Sequence, residues 1–542
     1  MKKAICTAYV MIQLIIVSLL LFAAGSTDYY TKRELSFSNA VYTLAGVLVT
    51  ALICLAVSKY RGRFGAFFSA RKNIIVIVTL MVFFCLSLFI CIGGFFFSDW
   101  DPAAILYGVY GVLHGHPEDT GAVYFSNHPN NLLLVWLYLA VLRVTGFFDI
   151  ESVLTLVVFQ CVLSTLAAYV FYRILGDMTE DPVTAYTGLI IYGIWIVLSP
   201  WFIITYSDEA GIIIPLLILR LFQRLMGTRG DIKRSGIYLA ALCALAAAGY
   251  YIKPQIIISF FAVVLIYVFD SKGEKPGYRA GFLIYCALLT FMFALIIKSF
   301  IIPSAGIKTD AGKSFGMAHY FMMGLNDETD GVYSDEDTLY TDAFDTPAEK
   351  NRADMELAGE RIRQYGAAGL LSHAGKKTLV NYSDGLFAWG VDGSFFAGRE
   401  LEDIGAVPET AATGFIWSLI RPDGACHGRY SSVMQMIWVT VQILGLICGI
   451  IIAVSVFAEK KDVGENAPSH SVCDCTVIFA VMLSLTGLFI FELLFEAKAR
   501  YLFIYTPYFL LAAVCGARAV SVSAAKVSAK RVDKQEGTAW ER

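Results

Sequence analysis

This sequence is short of charge. Asp, Glu, Lys and Arg together make up 16% of 542 residues, where a soluble globular chain carries about a quarter. The net charge is −3, which leaves no basic surface for nucleic acid. No Gly-rich phosphate loop of the Walker type is present, so nucleotide hydrolysis has no visible seat. Internal repeats and low-complexity tracts are missing too. Cysteine is present, twelve in all, but without a disulfide framework. Most, such as Cys54, Cys85, Cys91, Cys161, Cys243, Cys286 and Cys448, sit inside apolar runs, where they act as small hydrophobes. Cys473 and Cys475 form a C-x-C with no partners at zinc-site spacing.

Apolar residues are what the chain has instead, 57% of it. A membrane helix needs about 20 of them in a run. Candidate spans cover 8–25, 38–58, 73–96, 152–172, 183–201, 209–226, 236–251, 254–270, 280–302, 433–458, 474–494 and 500–522. The first run is longer than the apolar core of a signal peptide and is read as an uncleaved helix. The expected fold is an all-α polytopic membrane protein with about twelve crossings. Its parts are a two-helix extension (1–72), a membrane module (73–302), a mixed outer domain (303–432), closing helices (433–522) and a basic tail (523–542).

Basic loops mark the cytoplasmic side. Lys59, Arg61, Arg63, Arg71 and Lys72 crowd one, Arg220, Arg224, Arg229, Lys233 and Arg234 another, and Lys460 and Lys461 a third. Between Lys72 and Arg224 the apolar stretch 131–147 is one crossing too many. It is short, begins at Pro129-Asn130-Asn131 and ends at Gly146, so it is expected to lie half buried at the outer surface. Both termini then fall inside. The outer face gathers the 97–151 loop, Asp208 and Glu209, Lys253, the 303–432 region and the segment Glu496 to Tyr501.

These outer clusters hold the candidate chemistry. Asp99 and Asp101 follow a span; a carboxylate near the apolar zone tends towards a raised pKa and can act as a general base, though Asp-Pro also simply starts a helix. Tyr124, Asn127, His128 and Asn130 open an apolar helix with a dense run of hydrogen-bonding groups, of which helix capping needs only one. Lys253, Lys498 and Arg500 can hold a phosphate or merely snorkel. Asp208, Glu209, Glu496 and Tyr501 complete the set. His114, His116 and His128 lack the spacing of a ligand helix.

This arrangement resembles the GT-C glycosyltransferases, which include the protein O-mannosyltransferases, the lipid A aminoarabinose transferases and the oligosaccharyltransferases. Asp99 or Asp101 matches that superfamily's first acid, and Tyr124 to Asn131 the entry to its second surface helix. Asp208 matches the later acid, and Glu496 to Tyr501 with Pro507 the segment before the last span. The two spans before the first acid, and the Trp and Pro around it in place of Glu, depart from the O-mannosyltransferase pattern.

The resemblance implies transfer of a sugar from a polyprenyl-phosphate donor to an outer acceptor by an inverting displacement. Asp101 or Asp99 would be the base. Lys253, Arg500 and Lys498 would bind the donor phosphate. Tyr124, Asn127, His128, Asn130, Asp208, Glu209, Glu496 and Tyr501 would bind acceptor or sugar. A divalent metal, Mg or Mn, is an optional cofactor in such enzymes, with Asp208 its candidate ligand. The implied location is a bacterial plasma membrane. The rival expectations are a lipid-linked polymer ligase or flippase and a secondary transporter.

Overall fold

A backbone inside a bilayer must satisfy its own hydrogen bonds, which leaves helices and closed barrels. The computed structural model, describing residues 1–116, 121–228, 231–270, 276–392, 405–408, 410–458 and 475–539, is helical almost throughout. Among these residues the only sheet is a two-residue antiparallel pairing of Thr27–Asp28 with Arg33–Glu34. Arg229, Lys460, Lys461 and Cys473 lie outside the described residues.

Among the described residues ten helices are long and apolar enough to cross a membrane. Two shorter ones, Pro182–Val197 and Pro254–Asp270, also run from one face to the other. Asp181, before the first, meets Arg61 at 2.6 Å on the basic face, while Trp201, beyond its end, donates to the Leu386 carbonyl at 2.9 Å. Lys253, before the second, meets Asp208 on the face of the acids, and Asp270 at its end pairs with Lys2 at 3.6 Å. Both shorter helices thus join the same two ends of the bundle that the long spans join.

The helical segment Asn39–Gly93 carries two spans, Asn39–Gly62 and Gly65–Gly93. At one end Gln435 donates to Asn39 at 2.9 Å. Just past the other end Phe96 packs on Trp389, and Trp389 follows Asp384 and Gly385, which Gln435 also touches. Both ends thus reach one face, so the segment doubles back between its spans.

The helix Leu132–Gly146 stays on that face as well. Trp136 donates to Ser304 at 3.0 Å, Tyr138 to the Tyr206 carbonyl at 3.4 Å, and Tyr110 to the Glu151 carbonyl at 3.2 Å. It is deeper than a half-buried surface helix. Leu134, Val135, Tyr138, Leu139 and Leu142 are fully buried, and exposure is confined to its last turn and exit, at Arg143, Val144, Phe147 and Phe148.

The 303–432 region departs from the mixed domain expected of it. Its described elements are helices, chiefly Met317–Met323, Asp335–Asp342, Pro347–Tyr382 and Ala411–Ile420. The charged composition conceals helix starts: Thr346 and Glu349 form a reciprocal capping box, and Ser334 caps the Asp335 helix. Gly366, at φ 56°, breaks the long helix in two. Nor does the region stand apart, because Tyr382 and Trp389 are buried in the bundle's aromatic core beside Trp438 and Trp201.

Between lipid-immersed helices the attraction is close packing rather than water exclusion. A Cβ on Gly516 would sit 2.2 Å from the Leu444 carbonyl oxygen, and one on Gly449 would sit 2.8 Å from the Tyr9 ring. The Thr506–Ala539 and His427–Ala458 helices therefore approach backbone to backbone at Gly516, while Gly449 makes room for the Tyr9 ring of the Lys2–Ser18 helix.

Single cysteines at Asp149 and Glu356 should label from one side of the membrane, and cysteines at Lys72 and Lys233 from the other, in a background lacking reactive native thiols. Asp149 labelling together with Lys72 would mean that Leu132–Gly146 crosses.

Candidate active site

The acids are delivered by breaks between helices. The span Gly65–Gly93 ends, the chain turns, and Trp100 takes a left-handed backbone at φ 61°, a costly state for a bulky residue. The turn starts the helix Trp100–Leu113 with Asp101 in its first turn. Opposite, the extended Tyr206 leads into Ser207–Gly211 with Asp208 and Glu209 in the first turn.

Tyr206 donates from its hydroxyl to Asp101 Oδ2 at 2.7 Å. Burial pushes the Asp101 carboxyl up, but His128, the Tyr206 and Tyr124 hydroxyls and the Arg500 charge outweigh it, so its pKa lies below the usual value. The raised pKa expected of this acid is therefore overturned. Depth alone suggested it, and the donors around the carboxylate reverse it. His128 is lowered by its own burial, which outweighs the pull of Asp101. Its Nδ1 lies 3.1 Å from the Tyr320 hydroxyl. Asn131 donates to the Tyr124 hydroxyl at 2.6 Å. One wall is thus Asp101, Tyr124, His128, Tyr206 and Tyr320.

The second wall is a buried charge cluster. Asp208 Oδ1 accepts from Lys253, and Arg500 Nε lies 3.4 Å from Asp208 Oδ2. Asp208 is 0% exposed, Lys253 7% and Arg500 4%. Burial pulls the Lys253 ammonium below its ordinary pKa, and Asp208 offsets part of that. The Arg500 guanidinium sits 4.9 Å from the centre of the Tyr206 ring and 5.8 Å from that of Trp201. Tyr206 therefore joins the walls, its hydroxyl on Asp101 and its ring against Arg500.

Glu496 closes the cleft. Tyr501 donates to it at 2.9 Å, and burial raises its pKa against the opposing charge of Lys498. Lys498 stands 5.4 Å from the centre of the Trp100 ring, and Lys253 4.5 Å from that of Tyr501. Below lie Glu209 and Glu492, buried inside spans; among the described residues neither carboxylate has a hydrogen-bond partner. Lys377, also buried, donates to the carbonyls of Gly324 at 2.8 Å, Leu493 at 3.0 Å and Phe495 at 2.5 Å. Burial lowers it to about 8.

Of the residues picked from the sequence, Asp101, Tyr124, His128, Asp208, Lys253, Glu496, Lys498, Arg500 and Tyr501 converge on this cleft. Asp99 occupies the N-cap position of the Trp100–Leu113 helix without a side-chain capping hydrogen bond. Asn130 turns to Asn131 at 3.3 Å. Asn127 leaves a buried amide oxygen without a partner among the described residues, and its carbonyl accepts from Phe315 at 3.0 Å. Asp208 is the counter-ion of two cations. That tells against it as a metal ligand, since both its oxygens already face positive charge. Among the described residues no three His, Cys, Asp or Glu side chains are placed to hold a metal. His114 lies instead on an exposed rim, 4.0 Å from Glu151.

Four participants escaped the sequence reading. Glu492 had a signal, a carboxylate in an apolar run. Tyr206 lies two residues before Asp208. Tyr320 and Lys377 arrive from the 303–432 region, which local pattern does not connect to the cleft.

A second turn braces the cleft from behind. Asp384 accepts from the backbone N–H groups of Leu386 at 2.8 Å and Ala388 at 2.7 Å. This holds Phe387 and Ala388 at positive φ and sets the Leu386 carbonyl that Trp201 bonds. Burial, then the nearby Asp28 charge, raises Asp384 to about 7.

Together these features define a polytopic all-α integral membrane protein with a buried cluster of charged and tyrosyl side chains at one face. More particularly, the chain belongs to the family described as conserved hypothetical integral membrane protein, which matches it over residues 1–520. No curated protein and no solved structure matches it.

The Asp384 pKa has a consequence for stability. A carboxyl raised on folding contributes most where both states are protonated, below its ordinary range. That contribution is lost as pH climbs towards about 7. Wild type should therefore lose melting temperature between pH 5 and pH 8 relative to Asp384→Asn, measured by intrinsic fluorescence in detergent. A difference independent of pH would remove the assignment.

Proposed function

We propose that this protein is a membrane glycosyltransferase of the GT-C kind. It moves a sugar from a polyprenyl-phosphate donor to an acceptor at the outer face of a bacterial plasma membrane, with both termini in the cytoplasm. The observation that carries the reading is the Tyr206 bridge. It sets an ionised carboxylate, Asp101, beside the buried cations Arg500 and Lys253 at one membrane face.

In the proposed step the acceptor hydroxyl oxygen attacks the anomeric carbon while its proton passes to Asp101. The bond from anomeric carbon to phosphate oxygen breaks with inversion, and the polyprenyl phosphate leaves as an anion towards Arg500 and Lys253. A carboxylate with a lowered pKa is a weak base, but sugar transfer runs through an oxocarbenium-like transition state. There the hydroxyl proton becomes acidic as the new bond forms, so a weak base ionised at neutral pH is sufficient. Holding both reactants in the cleft supplies further rate. Lys498, on the Trp100 rim, adds positive charge at the donor's entry.

Buried Glu209 and Glu492 favour one second reading, an ion-coupled carrier, because an intramembrane carboxylate marks a functional pathway by default. The two readings separate in proteoliposomes. Solute flux abolished by Glu492→Gln, with no sugar transfer under any donor, would choose the carrier.

With a polyprenyl-phosphate sugar as donor, Asp101→Asn should lower turnover by roughly 10²–10⁴-fold, the usual worth of a positioned base, while leaving the melting temperature near wild type. Turnover at the wild-type level would remove Asp101 from the chemistry. Tyr206→Phe deletes a bond that holds the Asp101 pKa down. The acid limb of its pH–rate profile should therefore move to higher pH, and an unmoved limb would break the link between Tyr206 and the base.

A further inference from the structure

The face opposite the cleft carries a second feature that sugar transfer does not use. A groove of about 670 Å³ lies between the Asn39–Gly62 span, the Pro182–Tyr192 helix and the helices His427–Ala458 and Thr506–Ala539. Its volume is that of a ligand site, about 300–1,000 Å³. We propose that it binds one glycerophospholipid with an anionic headgroup, an acyl chain lying along the groove and the phosphate between Arg61 and Arg518.

Three observations carry the proposal. The first is the chemistry of the walls. Val49, Ile53, Ile191, Val441, Leu444 and Leu510 supply apolar surface. The hydroxyls that also line it are used within the protein: Thr50, Thr187, Thr440 and Ser521 each donate to a carbonyl four residues back in their own helix, and Thr184 donates to Asp181 at 2.5 Å. Along most of its length the groove therefore presents apolar surface, with the Ser58 hydroxyl one turn from Arg61 at the charged end.

The second is the asymmetry of charge. Among the described residues Arg61 and Arg518 are the only charged side chains lining the groove, and both stand at its end on the basic face. Asp181 holds Arg61 at 2.6 Å through one nitrogen. Arg518 donates through one nitrogen to the Thr179 carbonyl, at the end of the Val153–Thr179 helix. A guanidinium has five donors, so both groups are positioned by the protein with donors left for a phosphate. Anchored donors lose little freedom on binding. With one carboxylate beside two cations, the site suits a single negative charge.

The third is access. The Asn39–Gly62 wall is only 11% buried over its apolar window, so the groove is bounded on one side by a helix standing in lipid. From Gly46 to Arg61 that wall rises about 22 Å, more than half of a hydrocarbon core of about 30 Å. An acyl chain of one leaflet fits along it with its phosphate at the arginine end. The excess of basic residues on this face makes that leaflet the cytoplasmic one. The proposal stands whether or not the opposite cleft transfers sugar.

The test uses the purified full-length protein in detergent, read by native mass spectrometry and thermal unfolding. The added probes are dioleoylphosphatidylglycerol, dioleoylphosphatidylcholine, a polyprenyl phosphate and inorganic phosphate. Phosphatidylglycerol should be retained as one copy and raise the melting temperature, with phosphatidylcholine and inorganic phosphate doing neither. Arg61→Gln and Arg518→Gln should each weaken retention roughly 5-fold, as expected for one cation at an anionic lipid. Val57→Trp, which fills the groove and leaves both arginines in place, should abolish retention and decides the matter if the arginine variants do not fold. Equal retention of the two glycerophospholipids, unchanged retention in Val57→Trp, or retention of the polyprenyl phosphate alone would overturn the proposal.

Discussion

The cleft depends on Asp208. Three charges have been taken out of water at one end of the bundle, and each comes from a different part of the chain: Asp208 from the start of one span, Lys253 from the junction of two others, Arg500 from the start of the last. Burying an ion costs several kcal/mol, and removing one partner of a buried pair costs about 3–5 kcal/mol, because the other charge is stranded. Here a single carboxylate answers two cations, so its loss strands both. The cluster therefore fixes where three spans end relative to one another. Tyr206, two residues upstream, inherits that position and passes it to Asp101.

Much of the membrane layout was legible in the sequence, because bilayer thickness and backbone self-satisfaction leave few options. The stretch 131–147 shows how far such reasoning reaches. Charge parity and its short length marked it as a stretch that does not cross, and the Trp136, Tyr138 and Glu151 contacts hold it on the face of the acids. What parity does not see is burial. This helix is covered by the protein on most sides, and an apolar sequence reads the same whether lipid or protein surrounds it.

The site was legible as a set of residues but not as a set of pairs. Residue type and position at a helix end brought Asp101, Lys253, Arg500 and Glu496 together. They said nothing of Tyr206 bonding Asp101, which decides the direction of its pKa, or of Asp208 turning towards the cations. Both depend on side-chain direction across helices distant in sequence. The 303–432 region misled for a local reason. Its Asp, Glu and Gly content reads as loop, yet the acids cluster at helix starts, where they favour the helix dipole, as Asp335, Glu336 and Asp337 do.

The charge balance of the cleft bears on what can bind there. Lys253, Arg500 and Asp208 together leave one positive charge facing the Asp101 wall. A phosphate monoanion or diester arriving beside Arg500 would balance that charge without displacing Asp208, so the counter-ion can stay in place through a cycle. The same arithmetic disfavours a free metal ion, which would add charge to a cluster already positive. It also separates the two ends of the molecule. At the cluster the cations are sealed in the bundle behind Tyr206 and Trp201. At the groove Arg61 and Arg518 stand at the mouth of an apolar slot with no aromatic beside them among the lining residues. Both ends set two cations beside one carboxylate, but one pair is buried among aromatic rings and the other opens on apolar surface.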